Sequence, residues 1–449
     1  MKTVLKHSAI AAAIAAGVIG SQLSYAEPVP SGNGTEQRQV SAFSSIELSG
    51  PYRVAIRAGG KPGIELSGDR KQLQEVETVV RGDTLIVRPV KRSGFFFGIE
   101  RRRDTVTVNI SAATLNSLKM SGSGDVDVDQ LAGDSFSVAL NGPGDLRAGG
   151  AVRQLLVKSS GSGDLDLHQL KAADVELTMS GPGDVHLAGI GNELRARVSG
   201  VGDLVADDLR LARAVTHISG PGNVTLNGSS RELRAELSGA GDLEACALAV
   251  EAVSTVLQGP GNACVSGKIG KFDAEVHGAG DLTASGLQTG RAQLRMTGPG
   301  SATLSGTSTE LHAETSGAGA IEAGGLSVGK AVVKSRGPGS ITLAGVSDTL
   351  DAELSGAGDL NARMAGKRLL LKMSGPGDAH IEGSVGQVDA RLSGSGNLEA
   401  RSLVAGRADI VVHGPGNAAL NVKESAAARA ARVERGTMLL VDRSGTRRE

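Results

Sequence analysis

A five-residue pattern of the form S-G-x-G-D constrains this chain more than any other feature. It begins at Ser121, Asn141, Ser160, Ser180, Ser199, Ser219, Ser238 and Gln258, then at His277, Thr297, Ser316, Arg336, Ser355, Ser374, Ser393 and His413. The spacing is 19 or 20 residues throughout, and both glycines stand in all sixteen copies. A unit this short cannot bury an apolar face alone, so stacked copies must bury it for one another. The flanks read as strands. Apolar residues alternate before the motif, as in Val175, Leu177, Met179 and in Leu233, Ala235, Leu237, and again after it, as in Val224 and Leu226. Period two puts one face in and the other out. The expected fold is therefore all-β, a right-handed parallel β-helix of about sixteen rungs, right-handedness being the rule for parallel crossovers. The two glycines serve either to take positive φ or to let backbones approach closely.

A second order overlies the first. The middle residue of the motif alternates between a small or β-branched residue (Ser123, Ser162, Val201, Ala240, Ala279, Ala318, Ala357, Ser395) and proline (Pro143, Pro182, Pro221, Pro260, Pro299, Pro338, Pro376, Pro415). Proline units often continue apolar-x-Leu-x-Gly, as in Val224, Leu226, Gly228; the others continue Leu-x-Ala with a later Leu, as in Leu243, Ala245, Leu248. The repeat is a two-unit pair. Two rungs of about 20 residues fit it better than one wide coil, whose perimeter would enclose more space than these small side chains fill. Composition agrees: Gly is 65 of 449 residues, aromatics are 2%, and Trp is absent, which implies a thin aliphatic core. The formal charge of −1 gives no field to attract nucleic acid.

The ends differ from the middle. Residues 1–26 read as a secretory signal peptide: Lys2 and Lys6, an apolar run from Ala9 to Gly20, and small residues Ser24 and Ala26 before Glu27. Residues 27–40 read as a flexible leader, 41–118 as an irregular β cap with a short helix over Arg70 to Glu77, 119–422 as the repeat, and 423–449 as a C-terminal cap or tail. That tail has an Ala/Arg-rich helical run from Glu424 and a strand at Met438 to Val441. No Cys follows the cleavage point and no later apolar run reaches about 20 residues, so neither a lipid anchor nor a transmembrane helix is expected. The expected address is outside the cytoplasm: periplasm, cell surface or medium.

The repeats, with Phe43-Ser-Ser-Ile46, the Leu48-Ser-Gly-Pro-Tyr-Arg-Val54 strand and the stretches Gly68-Asp-Arg and Leu85-Ile-Val87, resemble the head GIN domain of putative auto-transporter adhesins over roughly residues 40 to 420. The resemblance implies a right-handed β-helix in secreted or surface proteins, without enzymatic activity and with no catalytic residues to carry over.

Several residues invite a chemical reading. The motif Asp (Asp125, Asp184, Asp242, Asp359, Asp378, with Asn262 among its replacements) raises the question of calcium between stacked corners. A nine-residue period would be needed, and free replacement by Asn, Ser and Ala would break a ligand ladder. Asx-type bonding to corner N–H groups is the expectation. Cys246 and Cys264 sit on adjacent rungs, outward, with a two-residue offset that puts their Cα atoms about 8 Å apart, beyond easy bridging. Isolated thiols are set against a disulfide, which export would permit. Arg81-Gly82-Asp83 reads as a hairpin turn rather than an integrin-type ligand. Phe95, Phe96 and Phe97, flanked by Arg101, Arg102 and Arg103, form either a partner-contact loop or the cap's own core. The histidines show no metal-pair spacing. The expected function is a non-enzymatic exported scaffold without cofactors, adhesin-like or structural, meeting a surface glycan, matrix or envelope protein and not nucleic acid. A carbohydrate-active β-helix enzyme and a receptor or signalling module acting through the N-terminal cap are the alternatives. The lack of ring-stacking aromatics weighs against the enzyme.

Overall fold

The computed structural model describes residues 32–90, 105–422, 432–433, 437–442 and 445–448. They form a parallel β-solenoid of about 15 turns, bounded by the sixteen corners. Each coil holds one unit: Leu146 pairs in parallel with Val126 on one side and Leu165 on the other. The wide 39-residue coil is thereby excluded.

Inside a coil, burial alternates straight through the corner. Gly220, Gly222, Val224 and Leu226 are buried while Ser219 and Pro221 are exposed. The motif bends the chain while keeping the in–out alternation, and its inward positions are glycine. Of the two roles expected for those glycines, close approach is the one realised. None of the motif glycines has positive φ. A Cβ on any of them would lie 1.8–2.2 Å from a backbone oxygen of the coil before, far inside van der Waals contact.

The two-coil period is a matter of volume. Where one coil has Ala206 and then Leu209, its neighbour has Leu226 and then Gly228 at the paired positions. The same exchange recurs with Ala284↔Leu304 and Leu287↔Gly306. Large sits on small at both sites, which keeps the core volume per coil nearly constant in these coils; nearer the start of the stack Leu167 meets Leu187. Seven of the eight small-residue coils are 20 residues long, the coil from Ser355 being the exception, against 19 for the proline coils; in two of them Gln130 (φ 60°) and Asp208 (φ 52°) take up a left-handed turn at the bend.

The N-terminal region builds a start for this stack. Its strands are β1 (Asn33–Arg38), β2 (Ser45–Leu48), β3 (Arg53–Ala58), β4 (Gly63–Asp69), β5 (Val76–Arg81), β6 (Thr84–Pro89), β7 (Thr107–Ala112) and β8 (Ser117–Met120), with the helix α1 (Arg70–Leu73) between β4 and β5. β2 runs parallel to β8, and β3 parallel to the first repeat strand β9 (Val126–Leu140). Ser49 to Arg53 therefore underlies the first corner. A Cβ on Gly122 would strike the Gly50 carbonyl at 2.1 Å. This is one further, degenerate copy of the motif, with Pro51 in the correct phase of the alternation and Tyr52 in place of the second glycine. Tyr52 is buried, and burial, helped by the Glu75 charge, pushes its phenol up to about 12. Below it, β6 and β7 continue the parallel ladder under β2 and β3.

Antiparallel strands then close the ladder. β4 pairs with β7, β1 with β4, and β5 with β6. At the other end, the strand Asn417–Val422 is followed in parallel by Thr437–Asp442, against which Gly445–Arg448 lies antiparallel. Switching from parallel to antiparallel ends the template that would otherwise admit another coil.

Two expectations are corrected here, and a third is met at its strand. The leader reading of 27–40 fails from Asn33 to Arg38, which is strand β1. Arg38 fastens it by donating to the Val76 carbonyl at 2.6 Å and the Leu73 carbonyl at 2.9 Å. The helix expected over Arg70 to Glu77 stops at Leu73, because β5 takes up the chain from Val76 to pair with β6. Asp69 caps it, accepting from the Lys71 N–H at 2.9 Å. The C-terminal strand expected at 438–441 spans Thr437–Asp442, whereas the helical run from Glu424 falls mainly on residues outside those described. Arg81-Gly82-Asp83 does make the hairpin turn: Arg81 pairs with Thr84, and Gly82 takes φ 63°.

Candidate functional surfaces

Two long outward surfaces result from this stacking. The first is the corner edge. Here the Asp side chain has a fixed partner on the following coil. The Asp164 N–H donates to Asp145 Oδ1 at 2.9 Å, Asp184 to Asp164 at 2.9 Å, Asp203 to Asp184 at 2.8 Å and Asn223 to Asp203 at 2.8 Å. The ladder continues through Asp242, Asn262 and Asp281 to Ser301. It restarts where Asp378 donates to Asp359 at 2.9 Å and Asn397 to Asp378 at 2.7 Å. The expected Asx bonding is thus sharpened: the N–H belongs to the next coil, not to the residue's own turn. Asn serves as well as Asp because it keeps an acceptor oxygen at the same reach. Ser301, Ala320 and Ser340 occupy the interval, with side chains too short to span it. Asp125, at the first corner, instead accepts the Val54 N–H through its backbone carbonyl at 2.8 Å. Among the described residues, no group of three or more His, Cys, Asp or Glu is placed to hold a metal ion.

Proline alternates along this edge without cost to the ladder. Inter-coil bonds at the corner leave from the flanking residues, as in Gly222 N–H to the Gly200 carbonyl at 3.2 Å and Ser219 N–H to the Val198 carbonyl at 2.9 Å. The missing proline N–H is one the corner does not use.

The second surface is the flank formed by the strand preceding each corner. Its outward residues carry charges that oppose one another from coil to coil. The last outward residue reads Glu275, Arg295, Glu314, Lys334, Glu353, Lys372, and each is the registered neighbour of the next. Arg295 lies 3.5 Å from Glu275. A parallel column four residues earlier has Arg291 at 2.9 Å and Lys330 at 3.2 Å from Glu310, one coil to either side. Hydrogen bonds from Arg291, then Lys330, then His312 hold the Glu310 carboxyl down at about 2. His277, which takes the motif's Ser position, is also an outward ladder residue: its ring contacts Thr297 Oγ1 at 2.8 Å and Glu275 at 3.2 Å.

Cys246 and Cys264 are joined as a disulfide, with Cα atoms 5.2 Å apart. The expected separation of about 8 Å assumed a straight strand. The register instead pairs Cys264 with Glu244 and then jumps between Ala245 and Ala249, so the chain bends at Cys246 and brings it back over the next coil. A bulge at the bend is the signal that strand periodicity alone could not give. Phe95, Phe96, Phe97, Arg101, Arg102 and Arg103 lie outside the described residues.

The family described as putative auto-transporter adhesin, head GIN domain, matches residues 42–247, 227–303, 271–362 and 346–433. No curated protein matches the chain. Among solved structures, a putative adhesin from Bacteroides fragilis shares 16% identity, over 68% of this chain and 97% of that one, with a TM-score of 0.24. A putative adhesin from Parabacteroides distasonis shares 16% over 68% and 97%, with a TM-score of 0.29. A putative lipid binding protein from the same species shares 14% over 82% and 96%, with a TM-score of 0.20. The family matches run end to end across the cap and the coils, and on them the chain belongs to the head GIN domain family of putative auto-transporter adhesins.

Proposed function

We propose that this protein is an exported, non-enzymatic scaffold that acts by adhesion, presenting the sides of a long solenoid to a surface glycan, matrix or envelope protein. The observation that carries this reading is the distribution of its polar chemistry. Charged groups are spread coil after coil along open faces and partner one another there. Among the described residues, the surface groups with shifted titration, Glu310, Glu77, Arg88 and Asp166, are members of such pairs. A catalytic site would gather titratable groups in one cleft and set their values apart. Family membership supports the adhesive direction.

Protease treatment of intact cells, followed by fractionation, tests the reading. An adhesin is degraded from outside, while protein wholly protected in the periplasm would sink it. Incubation of the purified chain with a polysaccharide panel supplies the second arm. Binding without cleavage is expected, and release of reducing ends or unsaturated sugars would replace the scaffold by an enzyme.

A further inference from the structure

We infer that the charged flank of the middle coils is a self-complementary surface through which two copies of this chain associate side by side and antiparallel. Six consecutive members of the column, Glu275, Arg295, Glu314, Lys334, Glu353 and Lys372, change sign at every step; Val256 precedes them and Arg391, of the same sign as Lys372, follows, and these two flanking residues meet each other in the arrangement described next. An even alternating row has a particular symmetry. A two-fold axis across its midpoint, between Glu314 and Lys334, sets Glu314 against Lys334 of a second copy, Arg295 against its Glu353, and Glu275 against its Lys372. Every contact in the row is attractive, and each occurs twice, as an isologous interface requires. Two rods side by side in the same direction would set like against like at all these positions.

The neighbouring column agrees at its centre, where Glu310 meets Lys330, and opposes only at its margin, where Lys271 meets Arg368. The groups are available for a second partner. Glu275 and Arg295 side chains remain 36% and 53% exposed despite facing each other on one rod. A shallow hollow of about 340 Å³, lined in part by Arg295, Glu314, Val332 and Lys334, lies over the coils flanking the axis. The row is about 25 Å long and the strand about 15 Å wide, which amounts to roughly 750 Å² for both copies, below the ~1,200 Å² of stable specific interfaces and in the range of weak, transient association. Charge pairing across such an area sets orientation and gives weak, salt-sensitive affinity. This inference stands apart from the adhesive reading, since it concerns only how copies of the chain meet.

Sedimentation velocity on the full purified chain, at low and high salt, tests it. A dimer at low salt that dissociates at high salt is expected. Glu314→Lys turns both central contacts repulsive and should weaken the dimer about tenfold or more. The double exchange Glu314→Lys/Lys334→Glu restores both contacts and should recover most of the loss, which also separates a broken contact from a damaged fold. A zero-length carboxyl-to-amine coupling read by mass spectrometry fixes the orientation. Glu275 and Lys372 are five coils apart on one chain, about 24 Å, so a link between them must join two chains. A chain that stays monomeric at low salt and high concentration overturns the inference, as does a dimer indifferent to Glu314→Lys or lacking the Glu275–Lys372 link.

Discussion

Along the corner edge, neighbouring coils meet backbone on backbone; on the flank they meet side chain on side chain. The first contact tolerates almost no variation, since Gly220 and Gly222 have carbonyls where a Cβ would go. The second accepts Arg, Lys, Glu or Thr at the same column, and even sets Lys372 beside Arg391. A solenoid thus separates its requirements. Stacking distance is set on one edge by the absence of side chains, and surface character is written on another by their presence.

Breaking the corner should have the largest effect. Gly222→Ala places a methyl 2.2 Å from the Gly202 oxygen, and the two coils must part to admit it. A loss of about 4 kcal/mol or more is expected by chemical denaturation, in the range reserved for severe steric insults. Gly290→Ala is the matched control: it has open space at its Cβ and no positive φ, and should be neutral or stabilising by up to about 1 kcal/mol.

Next in size is the core that both surfaces enclose. Leu226→Ala should cost about 2–5 kcal/mol through the cavity it leaves. Ala206→Leu alone should overpack by about 1–3 kcal/mol. Ala206 and Leu226 are registered neighbours, so the double exchange should cost clearly less than the sum, measured as a coupling in a double-mutant cycle.

The Asp ladder sharpens the comparison within the corner itself. Asp184→Ala removes the acceptor for the Asp203 N–H and should cost about 1–2 kcal/mol, reduced by relief of repulsion from the neighbouring carboxylates. In the gap of the ladder, Ala320→Asp provides an acceptor facing the Ser340 N–H and should stabilise by up to about 1 kcal/mol. Hydrogen exchange of the Asp203 and Ser340 amides distinguishes these local effects from global ones.

The flank should respond least. The Glu310 carboxyl, held at about 2, has a folded value below the ordinary 4.5. Its contribution to stability is fully present above the unfolded value and is lost as pH falls from about 4.5 toward 2. NMR titration should locate the midpoint there, and Arg291→Ala should raise it while costing under about 1 kcal/mol, as exposed pairs do.

Much of this was legible from the chain alone, for physical reasons. The period-two alternation and the interval of 19 or 20 residues follow directly from parallel stacking, so Leu177, Leu226 and Leu233 could be placed in the core by inspection. The proline alternation likewise exposed the two-coil period. What stayed hidden depends on contacts between coils. The inter-coil destination of the Asp side chain is not encoded in its own unit. The bend that unites Cys246 with Cys264 breaks the very periodicity used to place them. Strand β1 has few apolar residues, and its pairing with β4 draws on backbone bonds and on the anchoring of Arg38 rather than on a buried face. The degenerate corner at Ser49 to Arg53 kept Gly50 and Pro51 but lost the second glycine, and with it the signature.

The alternation of large and small residues also governs how such a molecule can change its length. From Leu187 and Ala206 onward the junctions between coils pair large with small, so removing one coil there would join two of the same kind: Leu226-type positions would face Leu, and Gly228-type positions would face Gly. Removing an adjacent pair, such as residues 238–276, rejoins unlike coils and preserves volume, proline phase and bend geometry together. Insertion or removal of coils is therefore expected to preserve the core best in adjacent pairs, which changes the length of the rod in steps of about 10 Å.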